Sequence, residues 1–122
     1  MATEIERKFL VRGNEWRTLS ERQIDIQQAY LANTPRSSIR IRLAADEASL
    51  NLKSTKSLVE REEFEYSIPY VDAQEMLDTL AISQVISKTR HYLRFAKKQW
   101  EVDEFRGANK GLNISEIELN SI

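Results

Sequence analysis

Charge of one sign recurs at alternate residues along most of this chain, and that pattern constrains its fold more than any other feature. Glu4-Ile5-Glu6-Arg7-Lys8 opens the series, with two carboxylates and an ammonium on even positions. Arg40 and Arg42 alternate with Ile39, Ile41 and Leu43, and Leu50-Asn51-Leu52-Lys53 repeats the pattern with one lysine. Glu63 and Glu65 alternate with Phe64, Tyr66 and Ile68; Lys88, Arg90 and Arg94 share a parity, as do Glu101 and Asp103, and Glu116 and Glu118. Successive side chains of a strand point to opposite faces, so each segment reads as a strand with one charged and one apolar face.

An antiparallel sheet with one solvated face also alternates in this way. Two features of the set argue for more. The charged positions are nearly pure Glu/Asp or Lys/Arg, where a solvated face would mix in Thr and Ser. They also come as sign-matched pairs, and like charges side by side are unfavourable unless opposite charges or ions face them. Acidic rows facing basic rows inside a barrel, with a metal and a polyanion between them, would satisfy that condition. Carboxylates spaced like Glu4 and Glu6 suit a hard cation, and Lys8 beside them suits the phosphate such a cation carries.

Composition removes competing chemistries. At 122 residues the chain fits one domain, and with no cysteine it has no disulfide, thiolate metal site or cysteine nucleophile. A net charge of −1 gives no global pull toward nucleic acid or an anionic membrane. No apolar run reaches membrane-spanning length and no signal peptide precedes Glu4, so a cytoplasmic protein is expected. Glycine-rich phosphate loops are absent too.

The predicted organisation is about eight strands and two short helices, antiparallel and closed into a barrel or nearly so. Asn14 is expected to cap a short helix carrying Trp16 and Leu19. A strand over roughly 23–31 follows, and Asn33-Thr34-Pro35 turns it into the Arg40/Arg42 strand. Asp72-Ala73-Gln74-Glu75 reads as a capping-box variant opening a helix through Met76, Leu77 and Leu80 that covers the sheet. Residues 96–99 form a hairpin connection, and Gly107 to Gly111 a loop before the last strand.

Taken in order, Glu4-x-Glu6-x-Lys8, Arg40-x-Arg42, Lys53, Arg61-x-Glu63-Phe64-Glu65, Lys88-x-Arg90, Trp100-Glu101-Val102-Asp103 and Glu116-Ile117-Glu118-Leu119 resemble the CYTH superfamily, the triphosphate tunnel metalloenzymes, over essentially the whole chain. The resemblance implies an eight-stranded antiparallel barrel whose tunnel is lined by charged side chains. The Glu4–Leu10 segment and Gln28-Ala29-Tyr30-Leu31 look most like the short bacterial inorganic triphosphatases. The implied reaction is hydrolysis of tripolyphosphate to pyrophosphate and phosphate. The alternatives on the same fold are a nucleotide or thiamine triphosphatase and a class IV adenylyl cyclase; a non-catalytic polyphosphate-binding module is the alternative of another class.

Carried onto this chain, the resemblance implies that Glu4, Glu6, Glu118 and Glu116 hold Mg²⁺ or Mn²⁺, and that Lys8, Arg40, Arg42, Lys53, Lys88 and Arg90 clamp the triphosphate. Glu63, Lys88 and Tyr30 are the candidates nearest the chemistry; Glu65, Glu101 and Asp103 are further tunnel acids able to bind or deprotonate the attacking water. His91, of opposite parity to Lys88 and Arg90, is expected outside the tunnel. The family pattern continues past the Glu-Ile-Glu-Leu strand into a helical segment, so the expected unit is a single tunnel domain over residues 1–122 lacking that segment. Homodimerisation through the outward rows Ile39, Ile41, Phe64 and Tyr66 is also expected.

Overall fold

The alternation becomes one curled sheet of eight antiparallel strands. The computed structural model describes residues 2–55 and 60–118. Its strands are β1 (Ala2–Leu10), β2 (Ser20–Asn33), β3 (Ser37–Ala44), β4 (Glu47–Ser54), β5 (Glu60–Ser67), β6 (Ile86–Phe95), β7 (Lys98–Phe105) and β8 (Asn113–Glu118). Their spatial order is β1-β5-β4-β3-β2-β6-β7-β8. β1 touches both ends of this order with different halves of itself. Ala2 to Ile5 pair with β5, and Glu6 to Leu10 pair with β8.

Two departures from the expected elements have local causes. β2 is longer than the 23–31 segment because register shifts at Ser20/Arg22 and Tyr30/Ala32 interrupt its alternation without ending its pairing. The expected helix at Asn14 is a single 3-10 turn, Glu15–Leu19, and Asn14 makes no side-chain cap to its backbone. Its Oδ1 instead accepts a bond from Arg17 Nε at 3.2 Å.

The helix α1 (Tyr70–Thr79) starts two residues before the expected capping box. Pro69 occupies the N-cap, and Asp72 falls inside the first turn, where its charge favours the helix dipole. Ala73, Met76 and Leu77 recur at helical spacing and pack on Ala29, Ile41, Leu43 and Ala48. A second apolar cluster (Trp16, Leu93 and Val102) lies under the 3-10 turn.

The apolar core therefore sits on the convex side of the sheet, which leaves the concave side free for polar groups. Of the outward rows invoked for a homodimer, Ile41 is fully buried beneath α1, whereas Tyr66 is 57% exposed. The β6–β7 connection is a two-residue turn in which Ala96 and Lys97 both take positive φ, 54° and 62°. That is the backbone of a type I′ hairpin, normally supplied by Asn-Gly.

Candidate active site

The charged faces of the strands converge on one cavity of about 310 Å³. β1 contributes Glu6 and Lys8, β3 Arg40 and Arg42, β4 Lys53, and β5 Glu63 and Glu65. β6 adds Lys88 and Arg90, β7 Glu101 and Asp103, β8 Glu116, and β2 Tyr30. Every expected site residue whose side chain is described lines this space. The side chains of Glu4 and Glu118 lie outside the described residues. His91 is on the opposite face, its ring edge on Trp16 at 4.8 Å, between Ser20 Oγ at 3.1 Å and Glu104 Oε1 at 3.3 Å.

Asp103 is the most enclosed acid of the cavity, 1% exposed, and two cations converge on it. Lys88 Nζ donates to its Oδ2 at 2.6 Å, while Arg90 donates through Nε at 2.8 Å and Nη2 at 2.9 Å. Register explains the trio, since Arg90 lies directly opposite Asp103 across β6–β7 and Lys88 is two residues along on the same face. Burial opposes the charge of Asp103, but the bonds and charge from Arg90 and Lys88 hold its pKa below the usual value.

The two cations respond differently. Burial works against the Arg90 guanidinium too, but Asp103 and then Glu101 hold it firmly charged. Lys88 is pushed down to about 8, first by burial and further by the charges of Arg90 and Arg42, against the pull of Asp103. Ile86 and Ile114 line the cavity as well, and the Phe105 ring lies 5.4 Å from the ammonium, a cation–π contact. Arg42 is likewise lowered, to about 10, by burial and by Arg40 and Arg90.

An acidic patch crosses β1, β8 and β7. Glu6 is the cross-strand partner of Glu118, and Glu101 is that of Glu116. Glu101 and Glu116 are like charges placed opposite, which is unfavourable without a cation between them. Burial, then Glu116 and Asp103, raises the Glu101 carboxyl. Lys8 Nζ bridges Glu6 at 3.5 Å and Glu116 at 3.7 Å, and Arg61 Nη2 donates to Glu6 at 3.3 Å. Among the described residues no three acidic or histidine side chains form a metal-holding group; of the four expected ligands only Glu6 and Glu116 have described side chains. As hard oxygen donors brought to one cation, those two fit a divalent ion.

The chain matches the CYTH domain family over residues 2–122. It is a CYTH protein. The chain is 40% identical over 119 residues to the inorganic triphosphatase of Acetivibrio thermocellus, a match covering 98% of this chain and 76% of that relative. Among solved structures it resembles the inorganic triphosphatase NE1496, with 30% identity, a TM-score of 0.65, and coverage of 99% and 76% of the two chains. It also shares its fold with HpAC1 from Hippeastrum, at 17% identity and a TM-score of 0.76, covering 97% and 80%.

This CYTH cavity also holds polar residues that a search for alternating charge passes over. Gln28 and Asn51 are both buried and both line it. Gln28 accepts from Arg42, and Asn51 Nδ2 donates to Glu65 at 3.2 Å. Parity was the available signal. Gln28 shares a face with Tyr30, and Asn51 with Lys53, but neither carries a charge to draw notice.

Proposed function

We propose that this CYTH protein is a metal-dependent inorganic triphosphatase that cleaves tripolyphosphate to pyrophosphate and phosphate. The observation that carries this reading is the convergence of Lys8, Arg40, Arg42, Lys53, Lys88 and Arg90 on one cavity facing an acidic patch. Such a site suits a short, linear polyanion with a hard counter-cation. The split pairing of β1 with β5 and β8 supports a closed barrel with a tunnel through it.

In this reading Glu6 and Glu116, with Glu4 and Glu118, hold Mg²⁺ or Mn²⁺. The ion, when bound, neutralises charge on the phosphate oxygens and on the leaving group. Arg40, Arg42 and Arg90 orient the chain of phosphates through forked donors, and Lys8, Lys53 and Lys88 supply point charges. Lys88 holds a proton at neutral pH that an arriving polyanion stabilises. Asp103 is the weakest candidate for activating water, because Lys88 and Arg90 already take up its oxygens. Glu101, with its raised pKa, is the better proton acceptor. Glu63, Glu65 and Tyr30 line the same space and orient substrate or water.

The test is phosphate release from tripolyphosphate, ATP and thiamine triphosphate with Mg²⁺, Mn²⁺ or EDTA, comparing wild type with Glu6→Gln. Metal-dependent release that prefers tripolyphosphate and drops about 100-fold or more in the variant is expected. Equal turnover of ATP would remove the substrate assignment. Binding without release would leave a polyphosphate-binding module.

A further inference from the structure

The cavity's cations divide by what holds them. Lys88 and Arg90 share Asp103, Arg90 also meets Glu101 at 3.4 Å, Lys53 meets Glu63 at 3.7 Å, and Lys8 bridges Glu6 and Glu116. Arg42 differs. Its Nε and Nη2 both donate to a single neutral atom, Gln28 Oε1, at 3.0 and 2.9 Å. Among the described residues no carboxylate forms an ion pair with Arg42 or Arg40, and the buried Nε of Arg40 has no acceptor.

Gln28 is suited to this task by chemistry and by place. A guanidinium has only donors, so the amide must turn its oxygen toward Arg42. Gln28 is 8% exposed and lies directly opposite Arg42 in the β2–β3 register, so the backbone sets the tether. A carboxylate in its place would bond more strongly and cancel the charge. The neutral amide fixes the direction of the fork and leaves the guanidinium without a carboxylate bonded to it. Burial, then Arg40 and Arg90, lower Arg42 to about 10, outweighing the opposite pull of Asp103 and Glu116.

We infer that Gln28 is a positioning residue that keeps Arg42 as an anion receptor with no carboxylate bonded to it, so that a substrate phosphate docks at Arg40 and Arg42 without displacing a protein carboxylate. The inference rests on the triphosphatase reading. At the acid-tethered cations, by contrast, an incoming phosphate competes with Asp103, Glu63, Glu6 or Glu116.

Calorimetric titration of tripolyphosphate in EDTA tests it on wild type, Gln28→Glu and Gln28→Met, with melting temperatures measured alongside. Gln28→Glu is expected to raise the anion-free melting temperature yet weaken Kd about tenfold or more, through neutralisation of Arg42. Gln28→Met leaves the charge but frees the fork, and is expected to lower the melting temperature and weaken Kd about three- to tenfold. An amide with a merely structural role would give Gln28→Glu a higher melting temperature and an unchanged Kd, which overturns the inference. Should Gln28→Glu not fold, Gln28→Met decides, and a Kd within about twofold of wild type overturns the inference. If wild type binds tripolyphosphate and both variants match it, the inference alone fails. If wild type neither binds it nor releases phosphate from it with Mg²⁺, the triphosphatase reading fails and the inference with it.

Discussion

Lys88 shows how a residue's neighbours set its chemistry. Its pKa falls from 10.5 to about 8 through burial and the charges of Arg90 and Arg42. Folding therefore weakens its hold on a proton, and between pH 8 and 10.5 the unfolded chain binds more protons than the folded one. Stability of the anion-free protein should rise with pH across that window, by at most about 3 kcal/mol, and the deficit is fully present below it. Denaturant unfolding at pH 7.5 and 9.5 checks this, and Lys88→Met should lack the rise. An identical slope in the variant would assign it to other groups. The parity of Lys88 was readable in the chain, but its lowered pKa was not. That shift depends on burial and on Arg42, which is distant in sequence and reaches it only through the sheet.

The β6–β7 hairpin is a case in which an element forms against the preference of its turn residues. Ala96 and Lys97 both sit at positive φ, where a side chain crowds the backbone. Their strands impose the turn because its twist matches theirs. Replacing the pair by Asn-Gly (Ala96→Asn with Lys97→Gly) is expected to stabilise the protein by about 1 kcal/mol in denaturant unfolding, with activity unchanged. A loss of stability would mean that the native pair makes contacts outweighing the strain. On the other face of the sheet, Ile41 is fully buried beneath α1. Ile41→Ala should cost about 3 kcal/mol in denaturant unfolding and leave the KM for tripolyphosphate within about twofold, because its side chain points away from the cavity. A large KM change would show that α1 packing and the cavity are coupled. The apolar spacing of this helix was legible from Ala73, Met76 and Leu77. Its start was not, because Pro69 rather than Asp72 sets it.

For the molecule as a whole, β1 is the connecting strand. It pairs through one half with β5 and through the other with β8, and it brings Glu6 and Lys8 to the cavity. β2 pairs with β6 from Ser20 to Gln28 and with β3 from Ile26 to Asn33, so its middle residues, Ile26 to Gln28, are held on both sides. Amide hydrogen exchange should be faster in β1 than in the middle of β2. Tripolyphosphate with Mg²⁺ should slow exchange in β1 more than in β2, since the ligand draws Glu6 and Lys8 toward the other strands. Uniform protection of both strands would argue that β1 is no weaker than the rest.

Alternation with period two is a covalent property of extended chain, and it decided locally which side chains share a face. That is why Glu6, Lys8, Arg40, Arg42, Lys53, Lys88, Arg90, Glu101, Asp103 and Glu116 could be grouped before any strand was placed. Tertiary structure alone decided which face is enclosed and which acid meets which base. Curling the sheet and covering its apolar side with α1 turns the charged faces inward, and cross-strand register then sets Asp103 between Lys88 and Arg90 and gives Arg42 to Gln28. Those pairings depend on backbone bonds between residues far apart in sequence, which no local spacing records.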